Sequence, residues 1–263
     1  TFRPGGCIAA GGVAEAEGAV TGRFRRAMIR FMPARRFDAV LFDLGDTLVG
    51  YYRRPQARVV MAEGLVAAEA ALRAGGETLP DPEAARGRFM EIREAPDWRV
   101  RPLEGRLATA YGLRRREDDP LLAAACRAFL APTFARAELF PDSLPVLRTL
   151  RERGLKLAIV SNMPCGCPKE PWEEEIARHG IAEHLEAFVT CRDVGWRKPV
   201  RAIFDRAVAD VGVPAARCLF VGDEPVWDVQ GAREAGMEGV LVSRWGGAPE
   251  GLPDLRALLD RVG

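Results

Sequence analysis

The sequence predicts an α/β fold, a parallel sheet whose first strand is followed by an all-helical insert. Apolar runs at residues 39–42, 155–160 (broken only by Lys156) and 218–221 read as strands buried on both faces, the kind found inside parallel sheets. Over the second half of the chain these runs alternate with amphipathic helical stretches. Between residues 50 and 139 the alternation stops and only helical patterns remain.

The first run, AVLF, reaches Asp43 and passes straight into a turn carrying Gly45, Asp46 and Thr47. Residues 155–160 end in Ser161 and Asn162. A shorter strand is expected at 187–190, another at 218–221 leading to Gly222 and Asp223, and a last one at 239–243. Helices with one apolar face are expected at 144–153, 172–179, 200–211, 226–235 and 252–262. The stretch 50–139 is rich in Arg, Ala and Leu, with Gly75-Gly76, Pro80, Pro82, Pro96, Pro102 and Pro120 as punctuation. It should form a lid over the carboxyl ends of the strands, crossed at Gly50 and at Phe140-Pro141. The expected division is a core of 38–49 and 140–263, a helical cap at 50–139, and a leader at 1–37.

That leader begins without helical or strand period and then becomes basic, with Arg23, Arg25, Arg26, Arg30, Arg35 and Arg36. It has no apolar h-region, so it reads as disordered and not as a secretory signal. Thr1 in place of Met reads as processing or trimming.

Composition narrows the function classes. A chain of 263 residues can hold one large domain or a core with an insertion. A net charge of +1 favours neither nucleic acid nor an acidic membrane surface as a partner. No apolar stretch approaches the roughly 20 residues that span a bilayer. Six cysteines without a disulfide framework fit a reducing, cytoplasmic setting. The expected protein is a monomer or homodimer acting on a small molecule.

In open α/β sheets, ligands bind outside the carboxyl ends of the strands. Four groups fall there in order: Asp43, Ser161, Lys198 before Pro199, and Gly222-Asp223 with Asp228. They supply an oxygen nucleophile, a hydroxyl donor, a fixed cation and a pair of acids, the set that phosphoryl transfer needs. A hard divalent cation takes oxygen ligands from one or two carboxylates and from substrate phosphate. The spacing from Asp223 to Asp228 spans a strand end and the next helix start, so both can face one ion. Lysine is scarce here, only Lys156, Lys169 and Lys198, and its compact charge suits phosphate.

Taken in order, FDLGDTL (42–48), IVSN (159–162), RKP (197–199) and VGDEPVWD (221–228) resemble the four motifs of the haloacid dehalogenase-like superfamily. The match runs from Asp38 to about Arg244. The resemblance implies a Rossmann-like parallel core with a C1-type helical cap, and Mg²⁺-dependent hydrolysis of a small phosphorylated metabolite through an aspartyl-phosphate. Asp43 then matches the nucleophile, which also binds the metal. Ser161 matches the hydroxyl on the phosphoryl oxygens, with Asn162 beside it, and Lys198 the cation on nucleophile and phosphate. Asp223 and Asp228 match the metal-holding acids, Gly45 a backbone-carbonyl ligand, and Thr47 a residue that orients the first loop.

One position departs from the pattern. Phosphatases of this family usually carry a second Asp, the general acid and base, two residues after the nucleophile. Here that position is Gly45, with Asp46 one residue further on. Asp46 is the leading candidate for the proton relay, yet alternation along an extended segment puts it on the opposite side from Asp43. A turn-stabilising role fits it as well. Two other readings stay open: a 2-haloacid dehalogenase-like hydrolase, whose relatives also lack that Asp, and a catalytically weak member that binds a ligand. A phosphonoacetaldehyde-type hydrolase fails for want of any lysine in the cap.

Smaller signals surround these motifs. Cys165 and Cys167 could be half of a zinc site, although the spacing matches no structural zinc pattern. His179 and His184 lie far from the strand ends. Tyr51, Tyr52, Arg53 and Arg54 follow the first motif, where arginines suit either a second anionic group on the substrate or plain solvation. Arg99 and Arg101 carry the same ambiguity, and Trp196 and Trp227 read as packing.

Overall fold

Strand β1 (Ala39–Phe42) is buried along its whole length, as a continuous apolar run requires. In this computed structural model, residues 35–92, 97–246 and 248–262 are described. The predicted leader lies outside them except for its last three residues, of which Phe37 is buried in the core.

After β1 come β2 (Val49–Gly50), α1 (Ala57–Ala74), α2 (Pro82–Glu91), α3 (Leu103–Tyr111), α4 (Pro120–Phe134) and β3 (Glu138–Leu139). Then follow α5 (Ser143–Glu152), β4 (Lys156–Ser161), α6 (Glu170–Arg178), β5 (Ala187–Thr190), α7 (Cys191–Val194) and α8 (Arg201–Val211). The described chain closes its regular elements with β6 (Cys218–Gly222), α9 (Gly231–Glu234) and β7 (Glu238–Leu241).

Five strands form one parallel sheet in the order β5-β4-β1-β6-β7. β1 sits at its centre, paired with β4 on one side and β6 on the other. The chain leaves β1 toward β4 and β5, then returns to β6 and β7, so the order reverses at β1. A crevice outside the strand ends forms at such a reversal. Asp43, Asn162 and Asp223 each follow directly on one of the three central strands.

The insert is built from α1 to α4. Helices α1 and α4 pack closely because Gly64 has no side chain: a Cβ there would lie 2.5 Å from the Phe129 carbonyl oxygen. The insert is not helix alone, however. β2 and β3 pair antiparallel at its base, with Val49 opposite Leu139 and Gly50 opposite Glu138. Arg99 also forms an isolated antiparallel bridge with Trp196 of the core, closed by backbone hydrogen bonds of Trp98 and Val100 on either side.

Two expected helices differ from the structure. The stretch 226–235 opens as a π-helical turn, Pro225–Gln230, and becomes α-helical only at α9. π-turns often mark functional sites, and this one follows directly on Asp223. The stretch 252–262 has helix-like apolar spacing but holds only a 3₁₀ turn, Arg256–Leu258. Tertiary bonds claim its backbone first. Leu252 exchanges hydrogen bonds with Leu241 and Ser243 at 2.8 and 2.7 Å, and the Leu255 amide donates to Asp142 Oδ2 at 2.6 Å. Leu255, Leu258 and Val262 still fill the core. The last strand ends at Leu241, two residues short of expectation.

Candidate active site

Three loops converge at the carboxyl ends of β1, β4 and β6. The first is a tight turn in which Leu48 and Val49 amides donate to the Leu44 carbonyl at 2.9 and 3.1 Å, and Asp46 N donates to Val49 O at 2.8 Å. Asp46 adopts φ +54°, a left-handed conformation that Asp tolerates better than most residues. The chain therefore does not alternate here, and Asp46 lines the same cavity as Asp43. This corrects the expectation that it faces away.

Asp43, Asp223 and Asp228 offer carboxylate oxygens that all lie within 4.8 Å of one another. Two ligands opposite each other on Mg²⁺ sit about 4.2 Å apart at its usual bond lengths, so small side-chain movements close this trio on one ion. Lys198 ties the acids together. Its ammonium is 2.7 Å from Asp43 Oδ1 and 2.6 Å from Asp228 Oδ1, and it donates to the Val160 carbonyl at 2.9 Å. Asp228 reaches Asp223's strand end because residue 222 is Gly: a Cβ would stand 2.3 Å from Asp228 Oδ2. The Glu224 amide donates to that oxygen at 3.0 Å.

Burial dominates the electrostatics. It pushes the Asp223 carboxyl up to about 8, with the charges of Asp43 and Asp228 adding to the effect. Burial also raises Asp228, against the pull of Lys198. Lys198 itself is held above its usual value: burial opposes the charge, but Asp228 and Asp43 outweigh it. Three carboxylates converging on one point offer hard oxygen donors, which fit a divalent cation such as Mg²⁺ and no soft metal.

Asn162 does something that its sequence position did not reveal. Its Oδ1 accepts from the Lys198 amide at 2.8 Å and its Nδ2 donates to the Lys198 carbonyl at 3.2 Å. Both ends of the side-chain amide thus hold the backbone of the lysine, although Asn162 also lines the cavity. Ser161 is buried one residue earlier and does not line it. Thr47 is fully buried and also stays off the cavity wall. Its carbonyl accepts from Arg244 Nη2 at 2.7 Å and Nε at 3.1 Å, and Arg244 grips both oxygens of Asp142 at 2.8 Å. Sequence reasoning missed this Arg244–Asp142 pair, which braces the first loop from behind.

The cavity has a volume of about 190 Å³, and besides the acids and Lys198 it is walled by Tyr51, Tyr52, Thr133, Pro164 and Trp227. Trp227 is thus more than packing. Thr133 lies on α4, so the insert contributes to the wall. Near it, a short ladder joins insert to core: Val100 N donates to Gly195 O at 3.0 Å, and Arg197 N to Trp98 O at 2.9 Å. Arg99 lies over the Trp196 ring at 4.5 Å, and Arg192 pairs with the buried Glu104 at 2.9 and 3.1 Å. This ladder leads straight into Lys198.

The aspartate trio is the one metal-compatible cluster among the described residues. Cys165 and Cys167 are buried outside any such cluster, and Trp172 Nε1 donates to Cys167 Sγ at 3.3 Å. His179 pairs with the buried Glu175 at the end of α6, and neither histidine lines the cavity.

A family model for haloacid dehalogenase-like hydrolases matches residues 37–236. The chain belongs to this family. As a haloacid dehalogenase-like hydrolase, it is similar to a glyceraldehyde 3-phosphate phosphatase of Methanopyrus kandleri, 33% identical over 78% of this chain and 84% of the relative. It is also 37% identical to a phosphoserine phosphatase of Thermus thermophilus, over 46% of this chain and 48% of that one. Among solved structures, a HAD phosphatase from Thermococcus onnurineus aligns with a TM-score of 0.58, covering 85% of this chain and 98% of that one at 24% identity. A 2-haloacid dehalogenase from Pseudomonas syringae pv. Tomato aligns at 0.54, also at 24% identity, covering 86% of this chain and 100% of that one. Both likenesses speak to the fold alone.

Proposed function

We propose that this hydrolase is a Mg²⁺-dependent phosphatase that cleaves a small phosphomonoester in the cytoplasm. The observation that carries the proposal is the close approach of Asp43, Asp223 and Asp228, with Lys198 between two of them. A carbon–halogen displacement needs no metal, so an intact acidic trio favours phosphate over a haloacid. The named relatives act on small phosphorylated compounds, and a chamber of about 190 Å³ suits a substrate of that size.

In the proposed mechanism Lys198 holds Oδ1 of Asp43, leaving Oδ2 to attack phosphorus. The ester oxygen departs with its electron pair and takes up a proton, for which Asp46 is the candidate donor. Water then attacks the aspartyl-phosphate and releases inorganic phosphate, restoring the carboxylate. Mg²⁺ held by Asp43, Asp223, Asp228 and the Gly45 carbonyl would neutralise charge on the transferring group. Ser161 is proposed to donate to a phosphoryl oxygen after a local adjustment, with Asn162 and Thr47 supporting the site from behind. The helices at 50–139 are proposed to act as a cap that excludes bulk water.

The test is phosphate release from a panel of small phosphate esters, with Mg²⁺ and with EDTA. Turnover should require Mg²⁺ and fall roughly 10³-fold or more in Asp43→Asn. Turnover that survives EDTA, or that survives loss of the Asp43 carboxylate, overturns the mechanism.

A further inference from the structure

We propose that a cleft beside Asp46 is a second binding subsite, with Arg53 as the receptor for an anionic group on the leaving-group side of the substrate. The inference rests on the phosphatase reading and names the substrate class for the same site.

Asp46 and Asp223 each line two cavities. One is the chamber of Asp43 and Lys198. The other, of about 490 Å³, is bordered by Arg53, Arg54, Ser243, Arg244 and Trp245. Of its three arginines, two are committed. Arg54 pairs with Glu224, and Arg244 is spent on Asp142 and the Thr47 carbonyl. Arg53 makes no salt bridge among the described residues, although its charge reaches the Asp46 carboxylate. Its guanidinium lies over the Trp245 ring at 4.3 Å, which occupies the face of the guanidinium plane and leaves the edge N–H donors for an oxyanion.

The shelf under Arg53 is braced by a second ring. Trp245 meets Phe140 edge-on at 5.6 Å. A receptor ordered before binding loses less entropy on taking its ligand. The inner chamber offers an anionic tail nothing comparable. Its one lining cation is Lys198, already bound to Asp43 and Asp228. A phosphoryl group at Asp43 with a neutral tail fits the chamber alone, whereas a tail bearing a carboxylate or second phosphate gains a partner only in the cleft.

The experiment compares kcat/KM for phosphoglycolate, a sugar bisphosphate and the neutral-tailed 2-hydroxyethyl phosphate, in the full chain and in Arg53→Ala, with Mg²⁺ present. The variant should lose roughly ten-fold or more on at least one anionic ester, mainly through KM, and far less on the neutral one. The ester that suffers tells whether carboxylate or phosphate is the anion bound. Arg53→Lys should recover part of the loss, because charge stays while the forked geometry goes. Equal losses on charged and neutral esters, or no loss on any, overturn the subsite. So does a wild-type chain that cleaves only the neutral ester, which leaves the phosphatase reading standing. A wild-type chain inert on all three overturns that reading, and the subsite falls with it.

Discussion

Gly45 stands where phosphatases of this family carry their acid, and nothing in the local geometry demands glycine there. Its φ is not in the left-handed region, and a Cβ would meet only Tyr51 ring carbons at 3.8 and 3.9 Å, ordinary contact distances. An aspartate should therefore fit. If proton delivery to the leaving oxygen limits this enzyme, Gly45→Asp will raise kcat on alkyl phosphates. The ceiling is the 10²–10⁴-fold typical of general acid catalysis. Aryl phosphates, whose leaving groups need little protonation, should respond far less. The same substitution should rescue Asp46→Asn. No gain on alkyl esters in either background would mean that protonation is not limiting and that Asp46 is not the relay. This part of the site was legible because its chemistry is local. The sequence names Asp43, Gly45 and Asp46, but not the φ of +54° that swings Asp46 into the cavity. Alternation assumes an extended chain, and here the Leu44 carbonyl captures the amides of Leu48 and Val49 instead.

At the scale of elements, buried strands were readable because four consecutive apolar residues have few other ways to be satisfied. The ladder between Trp98–Val100 and Gly195–Arg197 was not. Its segments are too short to show a period, and they lie far apart in sequence. Its functional weight can be measured through Gly166, which has φ +65° and where a Cβ would stand 2.3 Å from the Arg101 carbonyl oxygen. Gly166→Ala should push residues 98–101 off the core and loosen the loop that carries Lys198. We expect a several-fold drop in kcat and a stability loss greater than the roughly 1–2 kcal/mol that the left-handed backbone alone costs. Gly112→Ala is the matched control. It carries a similar left-handed φ, +67°, with nothing within 4 Å of its Cβ. It imposes the backbone penalty without the collision. Equal kcat for the two variants would show that the ladder does not govern Lys198.

Across the whole molecule, one buried ion pair joins segments that the chain keeps far apart. Asp142 and Arg244 have side chains 4% and 5% exposed, and through them the first loop at Thr47, the return from the insert, the turn after β7 and the tail at Leu255 are tied together. No local pattern announces this, because each partner alone reads as a surface charge, and the tail's expected helix hid the amide that Asp142 accepts. Burial alone would raise the Asp142 carboxyl, but the Arg244 hydrogen bonds and the Leu255 amide outweigh it and leave it below the usual carboxylate value. A carboxylate held lower when folded than when unfolded adds stability above its unfolded pKa, about 3.9. That contribution fades as pH falls through the lower, folded value. Asp142→Asn strands the Arg244 charge in the interior and should cost about 3–5 kcal/mol at pH 7, read from denaturant unfolding. The gap between wild type and variant should then narrow as the pH drops below about 4, since protonation removes from the wild type what the substitution has already removed. A gap that stays constant from pH 7 into acid would mean that the tie holds by shape and hydrogen bonding alone, with no contribution from the charge on Asp142.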